Sequence, residues 1–193
     1  MKISNSSLSE FVWRFSQDYL QSYQHRFKHL PITEKSEDWL SACEQGVHQE
    51  IFSLWQPISI DETLTFDNVE AALELALHHD IKAYFSTIYS DSLDATCSEG
   101  DLSLLFAWNQ KDFSRLQENI IGHILMKTKL KQKITIFFAL TDDDDHIISL
   151  DNEDGSIWVE KVGCEPHKKL ADSLAEFILQ LTPRIPPTEL DNS

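Results

Sequence analysis

Ile134-Thr135-Ile136-Phe137-Phe138-Ala139-Leu140 is the most hydrophobic run in the chain of 193 residues. It has no polar alternation, and its β-branched and aromatic content favours a strand. A strand without a polar face is one covered on both sides, so this run predicts the centre of a sheet with helices packed against it. At seven residues it is far shorter than the roughly 20 apolar residues that span a bilayer.

Downstream of this run, Asp142 to Asp145 is too polar to bury and reads as a connecting turn. His146 to Leu150 and Ser156 to Val162 flank Asn152-Glu153-Asp154-Gly155, which is the signature of a β-hairpin. A last helix is expected from Lys168 to Leu181, with Leu170, Leu174, Phe177, Ile178 and Leu181 on one face. Upstream, Asn109 and Asp112 open a helix whose Phe113, Leu116, Ile120 and Ile124 face the core. Its polar stripe carries Lys111, Arg115 and Glu118, where Arg115 and Glu118 are spaced for an intrahelical ion pair. Gly122 within it suggests close packing, and His123 a polar contact to the core.

Nearer the start, Ser7-Leu8-Ser9-Glu10 reads as a capping box. Leu8, Phe11, Val12, Phe15, Tyr19, Tyr23 and Phe27 follow at helical steps, so a helix should run from Leu8 to Lys28 and stop before Leu30-Pro31. Residues 33 to 47 read as a loop, and Ile51 to Trp55 as a strand closed by Pro57. Asp67 can cap a helix from Asn68 to His79; the β-rich runs Ile81 to Tyr89, Leu93 to Ser98 and Leu102 to Trp108 come next. The expectation is one α+β domain over residues 1–182, with a mixed or antiparallel sheet flanked by helices, and a flexible proline-containing tail over 183–193.

The charge is lopsided. Sixteen Lys and Arg stand against 32 Asp and Glu, a formal net charge of −16. Such a chain is repelled by nucleic acid backbones and anionic headgroups, so a macromolecular partner should be basic and nucleic acid is not expected. Most of the excess lies between Glu34 and Asp101, where fifteen acids meet only Lys35 and Lys82. Residues 111 to 133 are net positive, so opposed acidic and basic faces are predicted. Met1 to Ser7 lacks the apolar core of a leader, and Cys43, Cys97 and Cys164 are too scattered for a disulfide framework; a cytosolic protein with free thiols is expected.

Catalytic constellations are weak. His78-His79-Asp80 invites a metal reading, but adjacent helical side chains diverge by about 100° and would not share an ion unaided. Asp142 to Asp145 lacks the glycine and terminal glutamate of a calcium loop. There is no Gly-rich phosphate loop, nucleophile elbow or zinc-hydrolase motif. These absences favour a binding module with no cofactor over an enzyme. A metal-dependent enzyme using His78, His79 and the Asp142 to Asp145 cluster is the weakest rival.

The run Lys111-Asp112-Phe113-Ser114-Arg115-Leu116-Gln117-Glu118-Asn119-Ile120-Ile121-Gly122-His123, with Leu130-Lys131 and Thr135 to Ala139, closely resembles the Syd family of SecY-interacting proteins. Ser41-Ala42-Cys43, Trp55-Gln56-Pro57, Val69-Glu70-Ala71, Tyr84-Phe85-Ser86-Thr87, Gly100-Asp101-Leu102 and Leu174-Ala175-Glu176-Phe177 agree in order. The resemblance implies a fold related to the superfamily that includes toxin-immunity proteins. It also implies a non-enzymatic monomer, cytosolic but held at the inner membrane by SecY rather than by lipid. Its electronegative groove would face basic cytoplasmic loops of SecY and check misassembled or excess channel. Glu70, Glu74 and Asp101 lie in matched segments and lead the candidates for that groove; Asp91, Asp94 and Glu99 follow, because they sit between expected strands. An immunity-like inhibitor of a basic toxin is the alternative.

Overall fold

The computed structural model describes residues 7–185. The stretches Met1 to Ser6 and 186–193, on which the expectation about a leader and most of the expected tail fall, lie outside the described residues. In chain order the elements are α1 (Leu8–Phe27), β1 (Ile32–Glu34), β2 (Glu44–His48), β3 (Phe52–Trp55), β4 (Ile58–Ser59), α2 (Asp67–Leu73), α3 (His79–Phe85), β5 (Ile88–Tyr89), β6 (Leu93–Cys97), β7 (Gly100–Leu104), α4 (Gln110–Lys129), β8 (Thr135–Thr141), β9 (His146–Asp151), β10 (Ile157–Lys161), β11 (Lys168–Ala171), α5 (Leu174–Gln180) and β12 (Thr182–Pro183).

The apolar run becomes β8, the fourth strand of a seven-stranded antiparallel sheet ordered β11-β10-β9-β8-β7-β6-β12. A bulge between Phe137 and Ala139 interrupts its pairing with β9. Phe137 meets the His123 ring of α4 at 5.5 Å, whereas Phe138 meets Tyr84 of α3 at 5.5 Å and Phe177 of α5 at 5.8 Å. Two consecutive rings therefore bind helices on opposite sides of the sheet. The fold is α+β with helices on both faces. A smaller sheet, β1-β3-β2, and the pair β4-β5 lie outside it.

Several local expectations hold for identifiable reasons. Ser7 and Glu10 form both bonds of the capping box that starts α1. Asn109 caps α4 by accepting from the Asp112 amide at 2.9 Å. The expected hairpin joins β9 to β10, with Gly155 at φ 76° in its turn.

Others are corrected. The helix expected from Asn68 to His79 stops at Leu73, where Glu74 takes a left-handed conformation with φ 50°. The Glu70 carboxylate, which accepts from the Leu77 amide at 2.8 Å, fixes that break from within. Beyond it, residues 76 to 78 are pinned by the hairpin turn: Asn152 donates to the Ala76 carbonyl at 3.0 Å and accepts from the His78 amide at 2.8 Å. Chain freed at His78 restarts as α3, so the strand expected from Ile81 is a helix burying Ile81, Tyr84 and Phe85. The closing helix is likewise shorter. Lys168–Ala171 pairs with β10 as a strand, and Ser173 caps α5 by accepting from the Glu176 amide at 3.2 Å. The expected loop 33 to 47 holds β1 and β2, whose register comes from β3 and whose own sequence lacks a continuous apolar face. Gly122 has no atom within 4 Å of where a Cβ would stand, so close packing is not its role.

Beneath α4 lies a buried polar network. Lys127 and Glu160 are both fully buried; the Lys127 ammonium donates to the Glu160 carboxylate at 3.3 Å and to the Cys164 carbonyl at 2.7 Å. Lys127 therefore does not belong to the basic face the sequence suggested. Thr135 donates its hydroxyl proton to Glu160 at 2.9 Å, and His123 Nε2 stands 3.1 Å from the same hydroxyl. Burial first, and the Lys127 charge second, push His123 down to about 4. The Arg115 to Glu118 pair does not form among the described residues; the Arg115 guanidinium lies over the Trp39 ring at 5.1 Å.

Two tests follow from this packing. The unfolded His123 protonates near its ordinary value while the folded one resists, so stability is present above about pH 6.5 and declines toward pH 4. His123→Gln should flatten urea-unfolding stability between pH 6.5 and 4.5 by on the order of 1–3 kcal/mol; an unchanged slope contradicts the buried neutral imidazole. At Gly155 a Cβ would fall 2.6 Å from His78 Cε1. Gly155→Ala should cost about 1–3 kcal/mol, from φ strain and this clash together. Adding His78→Ala should recover the clash component in a double-mutant cycle.

Candidate functional site: an acidic cleft

The six acids selected from the sequence separate into distinct settings. Glu70 is committed to the fold: it pairs with Lys82 at 2.7 Å and accepts from the Leu77 amide, and both bonds hold its carboxyl below the usual range. Glu74 is exposed at the end of α2. Glu99 pairs with Lys168 across the sheet. Asp94 and Asp101 share the guanidinium of Arg184, at 3.8 and 3.3 Å, and Asp142 joins them at 3.5 Å. That arginine falls in the stretch expected to be a flexible tail. Of that stretch Pro183 belongs to β12, paired with β6, and Arg184 and Ile185 follow it before the chain passes out of the described residues.

Asp91 is different. It lies in a cleft of about 240 Å³ whose walls also carry Glu34, Glu44 and Asp112, with Trp39 and Trp108 between them. Its eight lining residues include four carboxylates and no base. The Asp91 residue is exposed, yet burial of its carboxyl, with Asp112 and Asp94 nearby, raises it above the usual carboxylate range against the Ser92 amide that lowers it.

The cleft is held by bonds between the 36–41 segment and the entry to α4. Trp108 Nε1 donates to the Trp39 carbonyl at 3.0 Å, Ser41 Oγ donates to the Trp108 carbonyl at 2.5 Å, and Asn109 donates to the Leu40 carbonyl at 2.9 Å. Asp112 accepts from the Trp108 amide at 2.9 Å. Glu44 accepts from the Ser41 amide at 3.1 Å and from Ser53 at 2.7 Å. Trp108 packs edge-on against Trp55, so the wall is backed by the core. Glu44 and Asp112 thus keep fixed positions while retaining further acceptor capacity. Glu34, Glu44 and Asp112 were not among the acids selected from the sequence. The available signal was weak: Ser41 stands three residues before Glu44, and Asn109 three before Asp112, the spacing of local caps.

His78, His79 and Asp80 also depart from expectation. Because His78 precedes α3 rather than lying within a helix, one ligand atom from each of the three comes within 4.8 Å of the others. The Asp142 to Asp145 turn lies at the opposite end of β9 from the Asn152 turn against which His78 is pinned, so the two segments of the enzyme rival do not meet. None of the described helices is long and apolar enough to cross a membrane.

The family profile described as "Syd protein (SUKH-2)" matches residues 9–183. The chain belongs to the Syd family. A curated relative named Protein Syd from Colwellia psychrerythraea is 53% identical over 191 residues, covering 94% of this chain and 96% of the relative. Protein Syd from Pseudoalteromonas atlantica is 38% identical over 186 residues, 93% of this chain and 95% of its own. Protein Syd from Alteromonas mediterranea is 48% identical over 147 residues, 76% and 81% respectively. The Syd match includes every residue lining the cleft and ends one residue before Arg184.

The cleft makes a pH-dependent prediction. A raised Asp91 means that the ionised carboxylate is disfavoured in the folded chain, a penalty present at pH 7 and absent below about pH 3, where both states are protonated. Asp91→Asn should therefore raise the melting temperature at pH 7 and leave it unchanged at pH 3. A fall at pH 7 would show the carboxylate to be a structural support instead.

Proposed function

We propose that this chain is a non-enzymatic binding protein whose acidic cleft docks on basic cytoplasmic loops of SecY, acting as a check on misassembled or excess channel. The observation that supports this most is the cleft itself: four carboxylates, two indole walls and no base among its lining residues. Cytoplasmic loops of membrane proteins are rich in Lys and Arg, so such a cleft accelerates encounter and fixes orientation. An exposed ion pair contributes only about 0–1 kcal/mol, so several must act together with desolvated apolar surface. Trp39 and Trp108 supply that surface, and the Arg115 guanidinium over Trp39 shows that the ring accepts a cation. Of the acids selected from the sequence, Asp91 belongs to this cleft; Asp94 and Asp101 extend the acidic surface, while Glu70, Glu74 and Glu99 are secondary. In this reading a chain repelled by anionic lipid reaches the inner membrane as a monomer from the cytoplasm, held by the channel and not by the bilayer.

The test is co-sedimentation with vesicles containing SecY. Glu34→Lys with Asp91→Lys, checked for folding by circular dichroism, should reduce binding at least tenfold, and binding of the unaltered chain should weaken steadily as salt rises. Undiminished binding, or salt-independent binding, would sink the assignment. A basic toxin as target would instead show binding independent of SecY.

A further inference from the structure

Thr182-Pro183-Arg184 occupies the outer edge of β6, with Thr182 opposite Thr96 and Pro183 opposite Ala95. The Arg184 amide donates to the Asp94 carbonyl at 3.0 Å, and its guanidinium sits among Asp94, Asp101 and Asp142. The seat has supports besides the arginine: Ser103 donates to Asp94, and Thr96 donates to Asp101 at 2.6 Å. The register Asp94↔Ser103 and Thr96↔Asp101 puts all four side chains on one face of the sheet.

The occupant fits this seat imperfectly. One guanidinium meets three carboxylates, so two negative charges remain. Arg184 Nε is buried without an acceptor, which penalises whatever holds it there. β12 is two residues long, and because the Arg184 amide bonds the carbonyl of Asp94 directly opposite, its proline stands at a position whose N–H would face away from β6. A longer extended segment bearing arginine would add backbone bonds along β6 beyond these two residues and bring further positive charge.

We propose that Thr182 to Arg184 is an internal occupant of a seat for arginine on an extended basic segment, and that such a segment enters by replacing β12 along β6. Strand addition supplies main-chain bonds, and the three aspartates supply selection for arginine. The inference rests on the reading above, that the acidic surface takes basic segments. It adds a second contact, closed in the free chain, to the open cleft.

The probe is a fluorescein-labelled hexapeptide alternating arginine and threonine, titrated by fluorescence anisotropy against the full chain. Arg184→Gln should bind it about tenfold tighter than the unaltered chain, as expected of a seat open about a tenth of the time. Adding Asp101→Asn should cancel the gain. In the unaltered chain, saturating peptide should accelerate hydrogen exchange of the Arg184 amide, a readout that does not depend on any variant folding. Equal affinities with an unchanged Arg184 amide would overturn the exchange, while weakening of both forms by Asp91→Lys would leave the cleft reading standing. Absence of peptide binding by every form would overturn both.

Discussion

Phe137 and Phe138 are neighbours in sequence, yet they pack against helices on opposite faces of the sheet, and the remaining architecture depends on that division. A regular strand alternates its side chains, which accounts for the division, and a bulge between Phe137 and Ala139 interrupts the pairing with β9 at this point. Phe137 sets α4 over one face, and the buried Lys127, Glu160, Thr135 and His123 network locks it there. Phe138 sets α3 and α5 over the other. Removing either ring would loosen one helical layer, and with it the segments that layer positions: the start of α4 forms a wall of the acidic cleft.

Acidity on this scale is a constraint as much as a tool. The chain places its excess carboxylates in three ways. Some are used internally, as Glu70 is by Lys82 and the Leu77 amide. Some are shared around one cation, as Asp94, Asp101 and Asp142 are around Arg184. A third group, in the cleft, includes Glu44 and Asp112, which are fixed by backbone amides and a serine hydroxyl rather than by an ion pair. The cleft gathers four carboxylates with no base among its lining residues, which is why it, and not the acidic sequence as a whole, carries the functional argument.

Much of this was legible in the chain. The apolar run announced a central strand, Ser7 with Glu10 and Asn109 with Asp112 announced helix starts, and Asn152 to Gly155 announced the hairpin. What failed was controlled by distant partners. Asn152 stops the 68–79 helix from continuing and frees α3, seventy-odd residues away in sequence from the turn that does it. Strands β1 and β2 acquire their form from β3. For the site, counting charges located the acidic segment but not its division, because Lys82, Lys168 and Arg184 reach their acids across the fold. Asp112, in a basic stretch of sequence, enters the cleft only because the start of α4 packs beside Trp39.

The most direct test of the central claim is an NMR titration of the isotope-labelled chain with a basic loop peptide from the proposed partner, read at the indole N–H signals of its tryptophans. The account predicts saturable shifts for Trp39 and Trp108, whose rings line the cleft, with Trp13 and Trp158 unmoved. Shifts at Trp13 or Trp158 with Trp39 and Trp108 silent would contradict it.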